Sequence, residues 1–69
     1  MENNNTIKEG DLVWAMCGGV LTQTKVTFRY NNILALHGFY DYVDIRNVTT
    51  DISDMPEDLK SKAIYWKEK

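Results

Sequence analysis

Residues 20–48 constrain the fold more than any other part of the chain. This stretch reads VLTQTKVTFRYNNILALHGFYDYVDIRNV and is interrupted by turn-forming residues at Asn31-Asn32 and at Gly38. Its many β-branched and aromatic side chains favour strands, while asparagine and glycine favour the tight turns between them. The pattern predicts a β-meander that supplies most of the core.

Residues 20–30 have the clearest two-residue period in the chain, which predicts one long antiparallel strand. Side chains of a strand point alternately to its two faces. One face is predicted to carry Val20, Thr22, Thr24, Val26, Phe28 and Tyr30, and the other Gln23, Lys25, Thr27 and Arg29. Asn31-Asn32 fits a two-residue hairpin loop, because asparagine tolerates the left-handed backbone conformation that such a loop requires.

The meander continues with a return strand at residues 33–37 and, after Gly38, with a further strand at residues 39–45. In this last strand, alternation places Tyr40 and Tyr42 on the face opposite Val43 and Ile45. Tyr40 and Tyr42 are therefore the aromatic residues most expected at the surface. Phe28, Phe39 and Trp66 are expected in the core.

One apolar strand and one helix flank the meander. Residues 12–17 (LVWAMC) are apolar throughout, which predicts a strand buried on both faces, and Gly18-Gly19 supplies a tight turn after it. Residues 54–67 are predicted to form a helix with Asp54 as its N-cap and Pro56 in its first turn. The helix face expected to pack on the sheet carries Met55, Leu59, Ala63 and Trp66.

These elements predict a mainly β fold: a small antiparallel sheet or barrel of four or five strands with one C-terminal α-helix. Two short motifs resemble SH3-like small barrels of the Tudor, KOW and PWWP kind. GDLVWA at residues 10–15 is similar to the first strand of PWWP domains, and YVDIRNV at residues 42–48 is similar to the closing strand and helical turn of many small barrels. PWWP similarity also implies methyl-lysine or DNA binding, although Met16-Cys17-Gly18-Gly19 stands where the Pro-Trp-Trp-Pro motif would be.

Size and charge narrow the class of protein. A chain of 69 residues is predicted to be one domain at residues 9–69, preceded by a flexible polar N-terminus at residues 1–8. The net charge of −2 gives no basic face, which argues against nucleic acid as a partner. A single cysteine and the lack of an apolar run long enough to span a membrane favour a soluble, cytoplasmic protein.

The sequence offers little chemistry for catalysis or for a cofactor. His37 is the only histidine, and no nucleophile is marked nearby for it to activate. The apolar neighbours of Cys17 favour a buried, unreactive thiol. Asp41 and Asp44 are too few for a metal site. We therefore expect a protein that is not an enzyme and has no cofactor or bound metal.

The aromatic residues are the stronger lead to a function, because tyrosine and tryptophan are enriched at the energetic centres of protein interfaces. A partner-binding surface is predicted to comprise Tyr40, Tyr42, Arg29, Lys25 and Trp14. Two plainer alternatives are that the tyrosines cover the sheet beneath the helix and that the two basic side chains are merely solvated.

Three functional hypotheses follow from this surface. The first is a protein-binding module, such as a phage or mobile-element inhibitor of a host enzyme or defence complex. The second is a reader that uses Tyr40, Tyr42 and Trp14 to stack nucleic-acid bases or to enclose a methylated cation. The third, compatible with the first, is a homodimer that pairs through an exposed sheet edge or through the tyrosine face.

Overall fold

The chain forms a curled antiparallel sheet followed by a short helix, in a computed structural model that describes residues 7–67. Each strand pairs with the next along the chain, so the sheet order is β1-β2-β3-β4. The elements are β1 (Leu12–Cys17), β2 (Val20–Tyr30), β3 (Ile33–Leu36), β4 (Val43–Asp44), a 3-10 helix (Ile45–Asn47) and α1 (Glu57–Ser61). The predicted mainly β fold of four strands and a helix is confirmed.

Two tight turns set the register of the first three strands. Gly18 and Gly19 both have positive φ, at 60° and 81°, and join β1 to β2 where Cys17 pairs with Val20. A loop with two positive φ values matches the twist of the flanking strands and strongly favours glycine. Asn31, with φ at 54°, begins the loop between β2 and β3, as its residue type predicts.

A β-bulge divides β2 into two halves. Val26 pairs with Leu36 but Phe28 pairs with Ala35, so Thr27 is an extra residue on β2. The Thr27 hydroxyl donates a hydrogen bond of 3.1 Å to the carbonyl oxygen of Ala35. An extra residue in one strand shifts the alternation of all the residues that follow it.

The bulge makes one prediction for β2 wrong. The face that carries Thr24 and Val26 is buried, as predicted, but Phe28 and Tyr30 do not continue it. Beyond the bulge, Arg29 lies opposite the fully buried Leu34 and takes the inward position. Phe28 is therefore an exposed residue of the outer face and does not belong to the core.

The inner face of the curled sheet holds the core. Its buried cluster consists of Ile7, Val13, Ala15, Val26, Leu34, Leu36, Ile45 and Val48, with Phe39 and Val43 packed against it. The buried hydroxyl of Thr24 donates to the carbonyl oxygen of His37 at 2.7 Å, so this polar group is satisfied. Ile7, which lies within the predicted flexible N-terminus at residues 1–8, is buried in this core; residues 1–6 lie outside the described residues.

The centre of the outer face of β1 and of the first half of β2 is also covered, while Leu12 and Met16 on the same face of β1 remain exposed. Trp14 alternates with the core residues of β1 and therefore points outward, yet it is only 5% exposed. Leu21 is buried on the same side. Both line a cleft of about 360 Å³ together with Met55 and Leu59, which come from the segment around α1. The prediction that β1 is buried on both faces holds at its centre.

The helix is much shorter than the predicted 54–67. It spans Glu57–Ser61, its N-cap is Pro56, and no side chain caps its first turn, so the Asp54 cap is wrong. Residues 63–67 leave the helix and run alongside β2 in an extended conformation. Isoleucine, tyrosine and tryptophan at positions 64–66 favour an extended backbone, and β2 offers an edge for them to pair with.

The fourth strand is also shorter than predicted. Residues 39–42 form a bend and loop, and only Val43 and Asp44 pair with β3. After the 3-10 helix the chain returns to β1, where the Trp14 N–H donates to Thr49 at 2.7 Å and the Thr49 N–H donates back at 3.1 Å. This bridge gives the sheet its half-barrel shape.

Candidate interaction face

Three large apolar side chains lie next to one another on the outer face of β2 and β3. Tyr30 pairs directly with Ile33, and Phe28 pairs with Ala35. Side chains paired in this way have Cβ atoms only about 4.5–5.5 Å apart. Phe28 is 47% exposed, Tyr30 66% and Ile33 37%, so no segment among residues 7–67 covers them.

Tyr42 extends this group towards β4. It immediately precedes β4, whose first residue, Val43, pairs with Leu34 and packs on the core. The Tyr42 side chain is exposed. We call the set Phe28, Tyr30, Ile33 and Tyr42 the outer aromatic face.

Tyr40 and Tyr42 are both exposed, as predicted, but they do not share a strand. A bend at Tyr40 and Asp41 separates them, and β4 begins only at Val43. Tyr40 is fully exposed in this loop. Of the two tyrosines, only Tyr42 adjoins the sheet, because the chain from Gly38 to Asp41 turns away before pairing starts.

An ion pair borders the outer aromatic face. Asp44 lies opposite Ile33, and its two carboxylate oxygens accept hydrogen bonds from Nε and Nη2 of Arg46, each at 3.1 Å. Asp44 also accepts from the Arg46 backbone N–H at 2.8 Å and so caps the 3-10 helix. These hydrogen bonds, those of the side chain first, lower the pKa of Asp44, and the carboxylate in turn raises the pKa of Arg46.

Arg29 does not join this surface. It points to the inner side, where Nη1 donates to the carbonyl oxygen of Ile7 at 2.6 Å. Its Nε donates to the carbonyl oxygen of Asn31 at 2.8 Å. The guanidinium thus ties residue 7 to the hairpin, and its role in the structure is to hold backbone segments together.

Lys25 and Trp14 lie before the bulge, on the first half of the sheet. The Nζ of Lys25 is 5.7 Å from the ring centre of Trp66. Trp14 is buried and packs edge to face on Tyr65, with ring centres 4.9 Å apart. The prediction that Trp14 belongs to an exposed binding surface is wrong, because the centre of the outer side of β1 is covered. The five predicted residues therefore do not come together at one place.

The two residues considered for chemistry lie away from this face. Cys17 is exposed, contrary to expectation, because β1 ends there at the hairpin turn, beyond the core. His37 follows β3, and its ring packs edge to face on Trp66 at 5.1 Å. Among residues 7–67, no three His, Cys, Asp or Glu side chains are grouped to hold a metal ion.

Comparison of the chain with protein-family models, with curated proteins and with solved structures gave no match. Within the described residues, no helix has the length and apolar character needed to cross a bilayer.

Of the outer aromatic face, the sequence prediction included Tyr42 but missed Phe28, Tyr30 and Ile33, although the sequence carries a signal for them. A two-residue loop at Asn31-Asn32 fixes the pairing of Tyr30 with Ile33. If Leu34 and Leu36 point inward, then Ile33 must point outward, and its partner Tyr30 with it. Applying the alternation of β3 across the hairpin would have placed Phe28 and Tyr30 on the outside.

Proposed function

We propose that this chain is a protein-binding module without catalytic activity, and that it docks its partner on the outer aromatic face. The observation that carries the proposal is the uncovered cluster of Phe28, Tyr30 and Ile33 on paired strands. Single exposed apolar residues are ordinary on protein surfaces, but a contiguous apolar patch marks an interaction site.

The size and composition of the patch fit the centre of an interface. With Tyr42 included, its exposed apolar side chains amount to about 450 Å², taking about 200 Å² for each fully exposed large side chain. A standard interface buries about 800 Å² on each partner, with apolar residues at the centre and polar residues at the rim. The exposed Arg46, paired with Asp44, supplies such a rim.

The architecture supports the small-barrel interpretation at the level of fold. A 3-10 helix separates β4 from Thr49, and Thr49 returns to pair with β1. We propose on this ground that the half-barrel is SH3-like. In this proposal the partner is a protein of the cytoplasm, since Cys17 lacks the second cysteine that an internal disulfide needs.

The reader hypothesis has weaker support. Trp14, one of its three stacking residues, is buried against Tyr65. The net charge of −2 gives little attraction for phosphate. The more specific idea of a phage-type inhibitor of a host enzyme has only the small size and asparagine-rich start of the chain in its favour.

The test compares binding by two matched variants. The intact protein is used to capture a partner from a nuclease-treated lysate of cells that contain it. The affinity for the purified partner is then measured by calorimetry. Phe28→Ser/Tyr30→Ser is expected to weaken binding at least tenfold, as truncation of central aromatic residues does. Tyr40→Ser, which removes a fully exposed tyrosine of the loop outside the face, is expected to leave the affinity within about twofold.

Each variant must melt as the wild type does, so that loss of binding is not loss of folding. Equal affinity of wild type and Phe28→Ser/Tyr30→Ser would reject the outer aromatic face. Capture that requires added nucleic acid and weakens steeply with salt would favour the reader instead.

A further inference from the structure

Residues 63–67, which we call the strap, occupy an edge of β2. The strap runs parallel to β2 and forms a bridge between Ile64 and Thr22. The Ile64 N–H donates to the carbonyl oxygen of Leu21 at 2.9 Å, and the Gln23 N–H donates to the carbonyl oxygen of Ile64 at 2.8 Å. The strap thus behaves as a fifth strand that is one bridge long.

This edge exists because β3 does not extend along the whole of β2. The β3 ladder begins at Val26, whereas β1 pairs with the other edge of β2 over Val20 to Lys25. Without the strap, the N–H of Gln23 and the carbonyl of Leu21 would face solvent. Unpaired groups of this kind form a template on which another extended chain can pair.

Aromatic contacts give the edge a preference for a particular sequence. Tyr65 packs on Trp14, and Trp66 packs on the ring of His37. The backbone N–H of Trp66 also donates to Oε1 of Gln23 at 3.1 Å. The site therefore takes an extended segment with an aliphatic residue followed by two aromatic residues.

Few contacts fix the strap in place, either through its own side chains or through helix α1, which precedes it. Ile64 and Tyr65 remain more than half exposed while bound. The preceding helix α1 is only five residues long and contains no buried residue. The chain changes from helical to extended after Lys62, so a change of backbone angles there can release the strap without disturbing the core.

We propose that the edge of β2 at Leu21–Gln23 docks the strap of a second copy of this chain, so that two copies exchange straps in a reciprocal dimer. The strap of a second copy carries the same donors, acceptors and aromatic rings, so exchange replaces each contact by an identical one. Such exchange is a low-cost route to dimers, and it becomes favourable as concentration rises. The proposal is independent of the outer aromatic face, which lies beyond the bulge.

Two complementary full-length variants test the exchange. Ile64→Pro lacks the N–H that bonds to Leu21, so its edge is intact but its own strap loses one of the two backbone hydrogen bonds of the bridge and pairs more weakly. Gln23→Pro lacks the N–H that bonds to Ile64, so its edge is blocked but its strap is intact. Analytical ultracentrifugation measures each variant alone and the equimolar mixture over a range of concentrations.

Each variant alone is expected to remain monomeric, and the mixture to form a 1:1 heterodimer at least tenfold more tightly than wild type forms its dimer. Wild type is weaker because its own tethered strap competes at a high effective concentration. Replacing Ile64→Pro by Ile64→Ala, which keeps the N–H, is expected to abolish the advantage of the mixture. Adding Tyr30→Ser to both partners is expected to change nothing.

A mixture that sediments as monomers throughout the concentration range, or a wild type that forms no dimer anywhere in that range, would overturn the proposal. If Gln23→Pro does not fold, Gln23→Ala removes only the side-chain acceptor of the Trp66 N–H and takes its place. If the mixture then associates at least threefold more tightly than wild type, exchange is still supported. If the two associate equally tightly, exchange is rejected.

Discussion

The two halves of the sheet differ in how far the side chains of their outer faces are buried. Before the bulge, Trp14 and Leu21 lie under the segment that carries Met55, Leu59 and the strap, and both are buried. After the bulge, Phe28 and Tyr30 are 47% and 66% exposed, although they are as apolar or aromatic as the first pair; Leu12 and Met16 at the ends of β1 are exposed as well, so the cover is confined to the centre of the first half. Residue type alone therefore does not decide burial here; the path of residues 50–67 does.

This difference also separates structure from candidate function. The covered half buries its second apolar layer and so gains stability from it. The uncovered half leaves apolar surface in water, which costs free energy unless a partner removes it. The centre of the outer face of β1 thus contributes to the stability of the fold, whereas the second half of β2 and β3 carry the surface that we propose for binding.

The largest expected effect contrasts one aliphatic residue from each half. Leu21→Ala should lower the free energy of unfolding by about 3 kcal/mol, because it leaves a cavity beneath the covering segment. Ile33→Ala, at an exposed position of the same sheet face, should cost less than about 1 kcal/mol. Urea unfolding followed by tryptophan fluorescence measures both, and equal losses would break the comparison.

A smaller effect on the free energy of unfolding is expected for the edge-to-face contact between Trp14 and Tyr65, which holds the strap against β1. A double-mutant cycle on Trp14→Leu and Tyr65→Leu should give a coupling of about 1 kcal/mol, as edge-to-face pairs do. The cycle on Phe28→Leu and Tyr65→Leu serves as control and should be additive, since these residues belong to different halves. Coupling of similar size in both cycles would mean that the halves are not independent.

The smallest expected effect is on the stability of the fold at low pH. The pKa of Asp44 is lowered in the folded state by hydrogen bonds from Arg46, so its contribution to stability is present above the unfolded pKa of about 4. That contribution is lost as the pH falls through the lowered value. Asp44→Asn should therefore flatten the loss of stability below about pH 4, measured by thermal melting at several pH values. Arg46→Leu, which keeps the Asp44 carboxylate but removes the side-chain hydrogen bonds that lower its pKa, should flatten the slope in the same direction; a slope that neither substitution changes would contradict the assignment.

The sheet was predictable because its signals are local. The apolar run of β1, the paired glycines and the asparagine loop each act within a few residues, and strands formed where they indicated. The position of the strap was not predictable in this way. Asp54 and Pro56 are good helix-start signals, but the end of the helix is set by a distant strand edge that offers hydrogen bonds to Ile64.

The candidate face was predictable only in part. Exposure of Tyr40 and Tyr42 followed from a simple alternation, whereas the burial of Trp14 depends on residues forty and more positions later in the chain. The positions of Phe28 and Arg29 depend on the bulge at Thr27. A bulge is a compromise between two neighbouring strands, so the pattern of a single strand does not reveal it.

The strap also affects the order in which the molecule assembles. The two hairpins close over two-residue loops, and such local pairing forms within microseconds. The hydrogen bond between Gln23 and Trp66 instead joins residues 43 positions apart, and closing so long a loop costs more entropy. Folding is thus expected to begin at the hairpins and end at the strap, so a newly made chain spends its last folding step with the edge of β2 open.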